Sequence, residues 1–188
     1  EVGCDEAGRG SLCGPVVAAA VILPNDFANN DLNDSKKLSL KKRNQLSKTI
    51  YKEALACEIG IVSPKEIDKI NILQASILCM HKAIKKINLP FDLILVDGPH
   101  FKKYKNIKHE CIVRGDSKYL AIAAASIIAK TYRDELMTKM HEDYPNYKWC
   151  RNKGYPTIEH REAIINFGIT DQHRKSFKLI NNQTALNI

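Results

Sequence analysis

Long apolar runs are missing from this chain. No segment reaches about 18 uninterrupted apolar residues, which argues against a helix that spans a bilayer. No basic stretch leads into an apolar one near the start, so a secretion leader is not expected. Closely spaced cysteine pairs are missing as well. The six cysteines, Cys4, Cys13, Cys57, Cys79, Cys111 and Cys150, are widely and irregularly spaced, a pattern that supports neither a zinc site nor a disulfide framework. Most lie in apolar runs, where cysteine acts as a small hydrophobe, and a reducing cytoplasm is the expected setting. Repeats, low-complexity tracts and interdomain linkers are also lacking. Residues 1–188 read as one domain, with a core over about 1–150 and a small helical C-terminal part over about 151–188.

What is present is ordinary in bulk and unusual in charge. A chain of 188 residues can bury a sizeable core. Hydrophobic residues at 44% and charged residues at 27% are values of a globular domain. The net charge of +8 favours a polyanionic partner, either nucleic acid or an anionic membrane surface.

The densest chemistry lies at Asp5-Glu6-Ala7-Gly8-Arg9-Gly10. Two adjacent carboxylates suit a hard divalent cation. The glycine-arginine-glycine turn suits a phosphate or sugar backbone, because glycine lets N–H groups approach closely and arginine offers a guanidinium fork.

The pattern along the chain predicts strands at 2–5, 16–23, 57–62, 93–96 and 110–113. It predicts helices from Ser39 to about Ala56, from about Ala75 to Ile87, from Leu120 to about Met140, and from Thr157 to about Phe167, with a further helix start at Ser63-Pro64. Strands alternating with helices indicate an α/β domain around a central sheet. Leu120–Ala129 is apolar on nearly all sides and reads as the start of a buried central helix, with Ser126, Lys130 and Asp134 on one face as its polar stripe. The polar tail from Asn181 is expected to fray.

Asp5, Asp97 and Asp116 share one setting, each at or just past the end of an expected strand and beside a turn. In open α/β sheets ligands collect outside the carboxyl ends of strands, so these ends can gather the three aspartates. Any one of them alone reads as an ordinary turn residue. Glu6 carries a constraint. Neighbours on a regular strand face opposite sides, so Asp5 and Glu6 reach one metal centre only if the chain bends, and Gly8 and Gly10 are placed to bend it.

Other segments admit two readings each. Ser35 and Lys36, before a helix, can hold phosphate or form a solvated cap. Tyr155, on a Gly154-Tyr155-Pro156 turn, can stack on a sugar or base or pack at a helix entrance. Arg174 and Ser176, in His173-Arg174-Lys175-Ser176-Phe177, can form a phosphate pocket or a basic surface. Asp134 can join an acidic site or pair with Lys130 at i,i+4.

Taken in order, these segments resemble ribonuclease HII of the bacterial type. The matching pieces are Asp5 to Gly10, Gly14-Pro15-Val16-Val17-Ala18-Ala19, Asp34-Ser35-Lys36, Val96-Asp97-Gly98, Gly115-Asp116-Ser117-Lys118, Ala123 to Lys130, Lys153-Gly154-Tyr155 and His173 to Phe177. The resemblance implies a ribonuclease H-like fold, a central mixed sheet flanked by helices. It implies cleavage of RNA hybridised to DNA, and nicking 5′ of single ribonucleotides in duplex DNA. It further implies Asp5, Glu6, Asp97 and Asp116 as catalytic metal ligands for two Mg²⁺ or Mn²⁺ ions. By the same likeness Gly8, Arg9 and Gly10 read the ribose 2′-hydroxyl, Tyr155 stacks near the RNA–DNA junction, and Ser35, Lys36, Arg174 and Ser176 contact the backbone. Ribonuclease HIII differs at the position of Arg9 and carries an extra N-terminal domain, so the HII type is preferred. Pro156 departs from the small residue expected after the tyrosine. The expected state is a monomer without membrane contact, and sliding-clamp docking is left open. The rivals are a hybrid-only nuclease of the HIII kind, another nuclease of the same broad fold, and a non-catalytic duplex-binding module.

Overall fold

Five strands, β1 (Val2–Ala7), β2 (Val16–Ile22), β3 (Ala56–Val62), β4 (Leu93–Asp97) and β5 (Lys108–Ile112), form one mixed sheet in the order β3-β2-β1-β4-β5. This is seen in a computed structural model that describes residues 1–29, 32 and 38–180. β2 runs antiparallel to both β1 and β3, while β4 runs parallel to both β1 and β5. Every residue of β2 is buried, as expected of a strand covered on both faces.

Side-chain alternation sorts the core into two layers. Val16, Ala18 and Ala20 turn toward α2 (Pro64–Ile84), meeting Ala75, Cys79 and Ala83. Ala19 and Val21 turn the other way, toward Leu46 and Ile50 of α1 (Leu40–Glu53) and the alanine-rich start of α3 (Leu120–Asp143). α3 lies very close to β1, since a Cβ on Gly3 would fall 2.1 Å from the Ala121 carbonyl carbon. A third cluster joins Leu12 and Met137 to Tyr147, Trp149, Ala163 and Ile164. It seats the short helices α4 (Trp149–Asn152) and α5 (Ile158–Phe167) on the end of α3.

Several boundaries differ from the sequence expectation. β1 continues two residues further, because Glu6 and Ala7 stay in register with Ala18 and Val17. α2 begins at Pro64 under a Ser63–Glu66 capping box and kinks at Asn71, whose φ is 64°. The Asn71 side chain then accepts the Gln74 N–H and restarts the helix, so the expected helix from Ala75 is the second half of one bent element. Among the described residues no helix is long and apolar enough to cross a membrane. Ser35, Lys36 and the tail from Asn181 lie outside the described residues.

Candidate active site

The parallel register that pairs Cys4 with Val96, carried one residue on, sets Asp5 beside Asp97 at adjacent strand ends. Asp97 Oδ1 accepts the Gly115 N–H at 2.7 Å. That bond anchors a 3₁₀ turn, Gly115–Ser117, which carries the buried Asp116. Asp5, Asp97 and Asp116 thus come to one edge of the sheet, as the strand-end argument expects.

The expected bend between Asp5 and Glu6 is not there. Both residues pair regularly with β2, and the chain turns only at Gly8, with φ at 94°. The pairing of β1 with β4 ends at Cys4, and Asp5 Oδ1 takes the Glu6 N–H at 2.7 Å. Glu6 Oε1 in turn meets Arg9 Nη1 at 3.2 Å.

These carboxylates are electrostatically costly. Burial, the neighbouring Glu6 charge and the Asp97 charge hold the Asp5 carboxyl well above the usual range, against the opposing bond from Ser126. Burial also raises Glu6, with Arg9 opposing and Asp97 adding. Among the described residues only Cys13, His160 and His173 bring three potential ligand atoms all within 4.8 Å of one another, so the carboxylates are set more widely than that. An all-oxygen set in which Asp5 and Glu6 are raised by burial and mutual repulsion fits a hard divalent cation, whose charge would relieve that cost.

A cleft of about 430 Å³ opens beside Glu6. Gly8, Arg9 and Gly10 form one wall, Ser126 and Lys130 of α3 another, and Arg43 and Tyr155 close it. The turn and Tyr155, far apart in sequence, therefore face the same space. Lys130 Nζ and Arg133 Cζ each lie 5.5 Å from the Tyr155 ring centroid, within reach of a cation–π contact. Asp134 is buried between Arg43, at 2.8 Å, and Lys130. Its place is the ion pair, and it orders two cleft cations.

Two buried arginines hold this wall. Arg133 Nε, Nη1 and Nη2 donate to the carbonyls of Pro15, Lys153 and Cys13. Arg174 donates to the carbonyls of Gly14 and Arg9, both at 3.0 Å. The expectation of Arg174 as a backbone contact is corrected here: it is fully buried, with its guanidinium turned onto the loop it supports. Ser176 is exposed, and its N–H and hydroxyl both bond Asp68 Oδ1. Sequence reasoning missed Arg43 and Arg133. Arg133 lies on the side of α3 that is buried along with Ala129 and Met137, and a charge on that buried side was the available signal.

The family model for ribonuclease HII matches residues 2–180. A relative from Christiangramia forsetii, named ribonuclease HII, is 59% identical over 184 residues, covering 98% of this chain and 93% of its own. Among solved structures, the PCNA:RNase HII complex from Archaeoglobus fulgidus aligns with a TM-score of 0.78 at 27% identity, covering 96% of both chains. Bst-RNase HIII in complex with Mn²⁺ shares the fold, with a TM-score of 0.72 at 17% identity, over 98% of this chain and 69% of its own.

Proposed function

This chain belongs to the ribonuclease HII family of metal-dependent endoribonucleases, which cleave the RNA strand of RNA–DNA hybrids, and from that premise we propose that it also nicks duplex DNA 5′ of single embedded ribonucleotides. The observation that carries the reading is the shared cleft: the glycine-arginine-glycine turn and Tyr155 face one another beside the carboxylates at the ends of β1 and β4.

Asp5, Glu6, Asp97 and Asp116 would hold two Mg²⁺ or Mn²⁺ ions. Such ions supply Lewis-acid activation of water and neutralise charge on the leaving oxygen. The chain's own residues do the selecting. Main-chain groups at residues 8–10 approach the ribose 2′-hydroxyl, the group that separates RNA from DNA at a given site. Tyr155 stacks on the sugar that follows. Arg9, Arg43 and Lys130 line the cleft with positive charge against the phosphate backbone. Water attacks phosphorus, the P–O3′ bond breaks, and 3′-hydroxyl and 5′-phosphate ends result.

The cellular role that follows is ribonucleotide removal from DNA by a monomeric single-domain enzyme. Six free cysteines suit a reducing cytoplasm. The test is a duplex with one ribonucleotide, incubated with Mg²⁺, Mn²⁺ or chelator. A metal-dependent nick 5′ of the ribonucleotide is expected; a hybrid-only nuclease leaves this duplex intact.

A further inference from the structure

Behind Tyr155 lies a buried chain of rings that the chemistry above does not use. Trp149 Nε1 donates to His160 Nε2 at 3.0 Å. His160 Nδ1 lies 3.0 Å from the Tyr155 carbonyl oxygen. His160 Nε2 and His173 Nε2 are 3.3 Å apart, and the Thr170 N–H donates to His173 Nδ1 at 2.9 Å.

The partners fix where the protons sit. An amide N–H only donates, so His173 Nδ1 is bare and its proton is on Nε2, aimed at His160. The Trp149 indole also only donates, so His160 Nε2 is bare and its proton is on Nδ1. A carbonyl only accepts, and the Tyr155 carbonyl receives that proton. The three constraints agree on one pair of neutral tautomers.

The same segment braces the ribose-side turn. The Gly14 N–H bonds the Gln172 carbonyl, the Arg174 N–H bonds the Leu12 carbonyl, and the Leu12 N–H bonds the Gly154 carbonyl, all within 2.9 Å. His173 therefore stands on a strip paired to residues 12–14, and its ring reaches through His160 to Tyr155. Cys13 Sγ is near enough to complete a three-ligand metal site. The tautomers oppose one: metal ligation through both Nε2 atoms needs both bare, yet the Trp149 N–H points at one and Thr170 leaves a proton on the other.

We propose that His173 and His160 are positioning residues, a neutral relay that fixes the Tyr155 main chain relative to the turn at residues 8–10 and so sets discrimination for a single embedded ribonucleotide. This rests on the reading of Tyr155 given above. Burial keeps both rings uncharged, holding His160 below its ordinary range and bringing His173, beside His160, down to about 4.

Two measurements test the relay. In the first, kcat/KM is compared on a single-ribonucleotide duplex and on a uniform hybrid. His160→Leu should lose about tenfold more on the former, the size of one neutral hydrogen bond. His160→Asn, whose amide can still donate to the Tyr155 carbonyl, should recover most of it. In a Tyr155→Ala background His160→Leu should cost no further selectivity. Equal losses on both substrates, or Asn no better than Leu, overturn the relay. In the second, imidazole ¹⁵N shifts of the unmodified protein should report Nδ1–H for His160 and Nε2–H for His173 at neutral pH. Another tautomer pair, or a metal bound stoichiometrically at these rings, overturns it regardless of how variants fold. Retained selectivity in Tyr155→Ala alone fails the reading of Tyr155, whereas the wrong tautomers fail the relay.

Discussion

Arg133 Nε occupies the space a side chain at Gly8 would need: an ideal Cβ there would lie 2.0 Å from it. Gly8 also has a φ of 94°, a region L side chains rarely adopt. Gly8→Ala should therefore displace Arg133 or the turn, destabilising the fold by about 1–3 kcal/mol. Ribonucleotide cleavage should fall at temperatures where the variant is still folded. A variant with unchanged denaturant midpoint and activity would show that the wall yields freely.

Arg133→Met removes three donors from buried carbonyls. Unsatisfied acceptors dominate the cost, about 2–4 kcal/mol. Equilibrium denaturation measures it, and a loss below about 0.5 kcal/mol, the level of an ordinary surface change, would remove Arg133 from the framework.

Asp5→Asn should abolish cleavage, by on the order of a thousandfold given several kcal/mol of transition-state stabilisation at such sites. Duplex affinity should persist, since the amide lifts a buried negative charge from a basic cleft. Single-turnover cleavage alongside fluorescence anisotropy separates the two; near-normal turnover excludes Asp5 from the chemistry.

The raised Asp5 and Glu6 carboxyls give a signed pH dependence. A folded-state value above the ordinary one contributes stability in acid, and that contribution is lost as pH rises through the raised value. Without divalent cations the protein should lose stability over this span above the usual carboxylate range. Mg²⁺ at a hundredfold excess over its Kd should restore about 2.7 kcal/mol, more at neutral pH than in acid. Melting curves with and without Mg²⁺ at several pH values check this, and a pH-independent increment counts against carboxylate ligation.

His173 gives the opposite sign. Its folded value is depressed, so its contribution is present above about 6.5, the ordinary histidine value, and is lost as pH falls toward about 4. His173→Gln should flatten the stability profile in this window. An unchanged slope would assign acid sensitivity elsewhere.

Much of the fold was legible because alternation and capping are local. The β2 run, the Ser39 and Thr157 caps and the apolar α3 all follow from neighbouring residues. The strand-end aspartates were legible for the same reason. The bend expected after Asp5 is absent because Asp5 and Glu6 are held in register with Ala19 and Ala18 of β2, a pairing that the local pattern around Asp5 does not reveal. Arg174 looked like a basic surface residue, yet its setting is decided by the carbonyls of Arg9 and Gly14, which no local pattern reveals. Tyr155 met the turn through pairing of Leu12 with Gly154, a contact between distant loops.

That interlock has a consequence for synthesis. The sheet and α3 are complete once the ribosome has passed residue 143, and all the acidic residues of the site are then present. The segment from Arg9 to Gly14 still lacks its brace, because its bonds to Gly154, Gln172 and Arg174 come from segments not yet made. A chain ending before residue 154 thus carries the acidic residues at 5, 6, 97 and 116 without the bonds that hold residues 9–14. The brace closes only when residues 154–174 have left the exit tunnel and bond to residues 9–14.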